Sequence, residues 1–147
     1  MKTYKVTVDS DKTIRWYNEQ GQLHREGGPA VECANGTKSW WINGQRHREG
    51  GPAIEWANGT KCWFINDQHH REDGPAIEYA DGDKCWYINN QRHREEGPAI
   101  EYASGDKEWY INGKCLTEAQ FKAHTKPSCS GKVVEIDGKK YKLTEIE

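Results

Sequence analysis

The chain repeats itself every 23 residues, and that period constrains its fold more than any other feature. HREGGPAIEWANGTKCW at 47–63 returns almost unchanged as HREDGPAIEYADGDKCW at 70–86. One shift aligns Pro29, Pro52, Pro75 and Pro98, and with them His24, His47, His70 and His93; no insertion interrupts the period between residues 24 and 113. A unit this short cannot enclose a core, so the copies must stack and bury apolar surface between neighbours.

Each copy reads as short strands. β-Branched and aromatic residues cluster in Ala53-Ile54-Glu55-Trp56 and in Lys61-Cys62-Trp63-Phe64-Ile65. One turn falls at Asn35-Gly36, Asn58-Gly59, Asp81-Gly82 and Ser104-Gly105, a second at Asn43-Gly44, Asn66-Asp67, Asn89-Asn90 and Asn112-Gly113. Both read as two-residue type I′ turns, since Asn, Asp and Gly accept positive φ. Counting outward sets Ile54 opposite Trp63 and Trp63 opposite His70. One face then carries the rows Val31-Trp40-His47, Ile54-Trp63-His70 and Ile77-Trp86-His93, flanked by Ile42, Ile65 and Ile88, and is expected to be the core.

Alternation sends Trp41, Phe64, Tyr87 and Tyr110 to the other face. Each is expected beside an alanine (Ala30, Ala53, Ala76, Ala99) and, in the first three rows, beside Arg46, His69 or Arg92. Glu32, Glu55, Glu78 and Glu101 belong to the same face. The Gly-Pro connector ends one copy and begins the next with a sharp bend, because proline fixes φ and offers no donor to a ladder. A single twisted sheet and a solenoid both remain open at this point.

The ends break the period, as terminal repeats do. Tyr4, Val6 and Val8 alternate, the chain turns at Asp9-Ser10-Asp11 and returns through Ile14 and Trp16, a degenerate cap. Thr117-Glu118-Ala119-Gln120 is a capping box for a short helix to about Ala123, with Leu116 and Phe121 placed to close the last copy. The fold class is therefore all-β, an array of antiparallel hairpin or meander repeats. Its parts are a β cap over 1–23, repeats over 24–113, a capping helix over 114–124, a linker over 125–131 and a hairpin over 132–147 around Asp137-Gly138.

Composition fits a thin, rigid fold. Hydrophobic residues make up only 34%, but seven Trp and seven Tyr are among them, and each such ring buries about 150–250 Å². The 21 basic and 23 acidic side chains are interspersed, which disfavours nucleic acid and membrane surfaces as partners. No run is long enough to span a membrane and the first residues lack the apolar stretch of a signal peptide, so a soluble, cytoplasmic protein is expected. Cys62 and Cys85 are replaced by Ser39 and Glu108 in the other copies, which reads as reduced thiols rather than a disulfide framework. Cys115 and Cys129 have no assigned role.

The string Asp81-Gly82-Asp83-Lys84, Trp86-Tyr87-Ile88-Asn89, His93-Arg94, Gly97-Pro98-Ala99 resembles a variant of the MORN repeat over residues 24 to 113. It departs from that pattern by carrying Arg25, Arg48, Arg71 and Arg94 after the histidines and by its Gly-Pro-Ala connector. The resemblance implies an adaptor or oligomerisation scaffold rather than a catalyst. The His-Arg-x-x-Gly-Pro-Ala string is also similar to short proteins of bacteriophages and giant viruses, which implies a host cytoplasm as the setting.

Histidine, arginine and glutamate invite a catalytic reading, but His24, His47, His70 and His93 recur in equivalent settings, where catalysis needs one asymmetric pocket. With Arg25, Arg48, Arg71 and Arg94 they are expected to tie the bend, bonding to carbonyls or to Glu26, Glu49, Glu72 and Glu95. Metal ligation is disfavoured because ligands recur only every 23 residues apart from His69-His70; no cofactor is expected. The partner-binding candidates are Trp41, Phe64, Tyr87, Tyr110, Arg46, His69 and Arg92, types enriched at binding hot spots. The leading expectation is a non-enzymatic protein-binding module, a phage or viral protein that inhibits a host defence protein. A second is a small-ligand or nucleotide-sequestering protein that holds an anion with Arg48, Arg71 and Arg94; a third is a structural homo-oligomer joined at strand edges.

Overall fold

The computed structural model describes residues 3–125, 133–136 and 139–142. They form an antiparallel meander of 11 strands in a single sheet. It starts with the cap strands Lys5–Val8 and Ile14–Tyr17 and ends with Lys107–Ile111 and Lys114–Leu116. Between them each copy contributes one hairpin: Val31–Glu32 with Lys38–Ser39, Ile54–Glu55 with Lys61–Cys62, Ile77–Glu78 with Lys84–Cys85, and Ile100–Glu101 with the strand from Lys107. The copies thus continue one sheet, which answers the question the connector left open. Among the described residues no helix is long and apolar enough to cross a membrane.

A second row of hairpins runs beside the sheet: Trp41–Ile42 with Gln45–Arg46, Phe64–Ile65 with Gln68–His69, and Tyr87–Ile88 with Gln91–Arg92. Trp63 is the switch between rows. Its N–H donates to the Ala76 carbonyl in the sheet at 2.8 Å, and its carbonyl accepts from His70 N–H in the side hairpin at 3.3 Å. Successive side hairpins are joined by Asp67 N–H to the Arg46 carbonyl at 3.0 Å and by Arg48 N–H to the Phe64 carbonyl at 3.2 Å. Ala30, Ala53, Ala76 and Ala99 are fully buried at these switches, with no room for a larger side chain.

The two turns of each copy differ, which corrects the first of the registers read from sequence. Asn66 and Asp67 both have positive φ and close a two-residue loop with Ile65 opposite Gln68, as expected. Around Asn58 only Gly59 is positive (φ 93°). Trp56 N–H donates to the Thr60 carbonyl and Gly59 N–H to the Trp56 carbonyl, both at 2.9 Å, so this is a three-residue loop with a glycine bulge. Ile54 accordingly faces Cys62, not Trp63.

A shift of one residue exchanges the faces. Ile54, Ile77 and Ile100 share a face with Phe64 rather than with Trp63, and the expected rows Ile54-Trp63-His70 and their equivalents do not form. The buried cluster is Ala53, Cys62, Phe64, Ile77, Cys85 and Ile100. That side is called the groove face below. The other carries Trp40, Trp63 and Trp86 with Glu55, Glu78 and Glu101, the glutamates having been expected on the opposite side.

On this second side a clamp repeats. The Arg48 guanidinium lies 3.8 Å from the ring centroid of Trp40, and Nη1 donates to the Pro52 carbonyl at 3.0 Å and to Glu55 Oε1 at 2.9 Å. Arg25, Arg71 and Arg94 do the same over Trp16, Trp63 and Trp86, with Glu32, Glu78 and Glu101. The bonds to carbonyls and the pairing of Glu26, Glu49, Glu72 and Glu95 with the histidines are as expected, with Nε2 of His47 3.8 Å from Glu49; the arginines take the carboxylates seven residues on instead. Each histidine Nδ1 meets the next side turn: His24 accepts from Asn43 N–H and His93 from Asn112 N–H, both at 3.0 Å, while Nδ1 of His47 and of His70 lies 2.9 Å from Oδ1 of Asn66 and of Asn89.

The array is capped by the helix Glu118–Thr125, shorter at its start than the expected 114–124, because Lys114–Leu116 pairs as the last strand of the sheet. Its capping box is formed: Thr117 N–H donates to Gln120 Oε1 at 2.9 Å and Gln120 N–H to Thr117 Oγ1 at 3.2 Å. Phe121 packs down, 6% exposed. The strands Val133–Ile136 and Lys139–Lys142 pair with Ile136 opposite Lys139; the linker after Thr125 and the turn Asp137-Gly138 lie outside the described residues.

The clamp leaves little space beneath it. A Cβ on Gly74 would lie 2.8 Å from Arg71 Cζ, so Gly74→Ala must push the guanidinium off Trp63. We expect a loss of about 1–3 kcal/mol, as for other overpacked sites, read as a lower midpoint in urea with unchanged slope. Gly59→Ala is expected to cost about 1 kcal/mol for a different reason, the positive φ of the bulge.

Candidate binding groove

Strand alternation from the observed register places Ile54, Trp56, Thr60, Cys62, Phe64 and His69 on one side of the second copy. The same positions in the third are Ile77, Tyr79, Asp83, Cys85, Tyr87 and Arg92. A groove of about 480 Å³ lies over the second copy and reaches the start of the third, lined by Arg46, Ile54, Trp56, Asn58, Thr60, Cys62, Phe64, His69, Ile77 and Tyr79. Its floor is apolar, with Ile77 and Cys62 each 10% exposed or less, at 7% and 9%. Burial pushes the Cys62 and Cys85 thiols above their ordinary pKa, which keeps them protonated and inert as packing groups.

One wall is formed by Arg46, Phe64 and His69, part of a ladder made of the seven residues singled out from sequence. Arg46 lies 6.0 Å from the Trp41 ring centroid and 4.1 Å from that of Phe64. His69 follows, 4.0 Å from Phe64 and 5.3 Å from Tyr87. Arg92 Nε donates to the Tyr87 hydroxyl and Nη1 to the Tyr110 hydroxyl, both at 3.2 Å. Ring and cation alternate through three copies, and the pairings Trp41 with Arg46, Phe64 with His69 and Tyr87 with Arg92 are the cross-strand ones read from sequence.

Exposure divides these residues from those a partner could reach. Phe64 is 3% exposed, and the ladder's arginines are engaged within the fold, while His69 Nδ1 is buried without a hydrogen-bond partner. Arg46 is ion-paired with Asp67. At the far end Glu108 accepts from the Tyr102 and Tyr110 hydroxyls, each at 2.8 Å, which pushes Tyr110 up to about 12 and holds Glu108 below its usual range. The ladder is a spine of the fold as well as a wall of the groove.

The residues that sequence reasoning missed form the opposite wall. Trp56 and Tyr79 are 49% and 44% exposed, the large aromatics that stand out of this face. The miscounted turn hid them by setting Trp56 opposite Lys61, whereas it pairs with Thr60 across the bulge. The signal available was the position itself: Cys33, Trp56, Tyr79 and Tyr102 precede a polar turn, vary between copies and become large and apolar in three of four.

The bend residues offer no comparable surface. His24, His47, His70 and His93 face equivalent Asn turns, and Arg48, Arg71 and Arg94 are already neutralised by Glu55, Glu78 and Glu101. Among the described residues no three His, Cys, Asp or Glu side chains lie close enough together to hold a metal ion.

His69 is the titrating member of the ladder. Burial first, and then the charge of Arg46, push its pKa below the ordinary 6.5, partly offset by the Trp63 backbone. A depressed imidazole pKa favours the neutral ring in the folded state. Its stability contribution is complete above 6.5 and is lost as the pH falls below that value. His69→Phe keeps a ring between Phe64 and Tyr87 and removes the proton. The fall in melting temperature between pH 7.5 and pH 5 should be smaller in the variant than in the parent, other histidines being common to both.

No protein-family model matches the chain, and no curated protein matches it either.

Proposed function

We propose that this chain is a non-enzymatic binding scaffold whose partner is another protein, gripped by the groove face at Trp56 and Tyr79. The observation that carries the reading is the pair itself. Two large rings, 49% and 44% exposed, stand on one rim of an apolar groove, while Phe64 in the ladder is buried and the other ladder rings are half-buried. Aromatic anchors beside a rigid, prepaid surface are the usual centre of a protein interface. The equivalence of the four histidine settings supports a scaffold over a catalyst. The similarity of the His-Arg-x-x-Gly-Pro-Ala string to short phage and giant-virus repeat proteins supports a host protein, such as a defence component, as the partner.

A homo-oligomer is the second reading, favoured by the first strand of the sheet. Lys5–Val8 stands at one end of the strand order, with Val6 and Val8 49% and 65% exposed, and such an edge can pair with a second copy. Val8→Lys should then lower the assembled mass seen by sedimentation; a monomeric parent protein eliminates this reading.

The protein-binding reading is tested by affinity capture from a host lysate with the parent chain and with Trp56→Ala/Tyr79→Ala. Both substitutions are at exposed positions and should change stability by about 0.5 kcal/mol or less each. Proteins captured by the parent should be lost from the double variant at an unchanged melting temperature. Identical capture by both would remove the groove from consideration. Phe64→Ala is the contrast: a buried ring costs about 3–5 kcal/mol, so it should unfold the array rather than merely free the partner.

A further inference from the structure

We propose that the groove, with the cross-strand row that continues it from Tyr79 to Asp106, takes a proline-rich segment in the polyproline II conformation, running across the strands, with a basic residue at the end that lies over Asp83 and Asp106. This deepens the protein-binding reading and rests on it.

Spacing is the first argument. Trp56 pairs with Thr60 and Tyr79 with Asp83, N–H to carbonyl, at 2.9 Å each, and Tyr102 with Asp106 at 3.0 Å. The pairing of Ile77 with Cys62 and Glu78 with Lys61 brings Tyr79 opposite Thr60. The three aromatics therefore form one cross-strand row, each two strands from the next, about 9.5 Å at the usual strand separation. Polyproline II advances about 9.3 Å in three residues. A segment with proline at every third position presents its rings on one side at the period of the row. Thr60, 8% exposed with its hydroxyl accepting Ala80 N–H at 3.2 Å, leaves a notch between the rings of Trp56 and Tyr79.

Hydrogen bonding points the same way. The strands under the groove are paired on both sides within the sheet, so an added strand finds no open ladder there. A polyproline II segment needs none: its carbonyls lack internal partners and its prolines lack N–H groups. The groove lining contains no carboxylate, which suits a ligand poor in donors.

Charge sets the direction. The row carries Thr37 and Thr60 in the first two copies and Asp83 and Asp106 in the next two. Glu108 lies beyond, already accepting from two tyrosines. One end of the row is thus acidic; Asp83 Oδ1 accepts from Ala103 N–H at 2.7 Å and Asp106 Oδ2 from the Ser104 hydroxyl at 2.8 Å, and a lysine or arginine on the ligand would meet the second oxygen of each.

The test is a titration of the full chain, followed by tryptophan fluorescence, with a synthetic peptide bearing proline at every third position through three turns and one terminal arginine. A control of equal composition has its prolines at irregular spacing. Binding should be saturable and at least tenfold tighter for the regular peptide. Tyr79→Ala should weaken it at least tenfold and Tyr79→Phe should not. Asp106→Asn should weaken the arginine-bearing peptide and leave an arginine-free one unchanged. No saturable binding, or equal affinity for the irregular control, overturns the proposal. If the peptide fails while lysate capture still depends on Trp56 and Tyr79, the protein-binding reading stands and the proline ligand falls. If capture is also insensitive to them, both fall.

Discussion

Arg48 is held by three kinds of contact at once: an indole face beneath it, a carbonyl of its own connector and a carboxylate from the next strand. The indole is Trp40, in the preceding copy, and the carboxylate is Glu55, in the following one. The clamp therefore joins neighbours, which a 23-residue unit with two-residue strands must do to exist. Its parts are individually weak. A partly exposed ion pair gives about 0.2–1 kcal/mol and an exposed cation over a ring about 0.5–1 kcal/mol. The arrangement recurs at Arg25, Arg71 and Arg94, so every junction from the cap to the fourth copy has the same fastening, and Gly28, Gly51, Gly74 and Gly97 keep clear the space each guanidinium occupies.

Placing the fastening on one side releases the other. Strand residues alternate, so the clamp uses Glu55, Trp63 and their equivalents, and the groove side can differ from copy to copy without loosening the stack. It does differ: Trp41, Phe64, Tyr87 and Tyr110 in one row, Cys33, Trp56, Tyr79 and Tyr102 in the other. Only the need for a ring and a planar cation or imidazole in alternation limits the first row. The second is freer: Tyr102 is tied to Glu108, but Trp56 and Tyr79 stand exposed.

The period, the strand content, the helix cap and the second turn could all be read from sequence because each depends on local chemistry. Asn66-Asp67 has one way to close a hairpin with both residues at positive φ. The first turn could not be settled in that way. Asn58-Gly59 serves equally as the centre of a type I′ turn or as the last two residues of a type I turn with a glycine bulge. Here the Asn58 side chain, accepting Thr60 N–H at 2.9 Å, holds the second form. One residue of register then decided which face is buried, so the seven ladder residues were grouped correctly while their exposure was reversed. Likewise the arginines were assigned to the bend, but their carboxylates, seven positions along in sequence, come within reach only when the connector folds back.

The same register explains why the groove is straight-sided enough to recognise a regular partner. With Ile54 opposite Cys62 and Cys62 opposite Ile77, residues of branched or small side chain form the floor, and both rims are raised by rings. The alternative register would have put Trp63 among these residues and filled the channel with indole. A glycine bulge at Gly59, a feature of a single turn, is thus what separates a two-sided aromatic sheet from a sheet with one fastened face and one open channel. The period of that channel is the period of the repeat, and any ligand that reads more than one copy must share it.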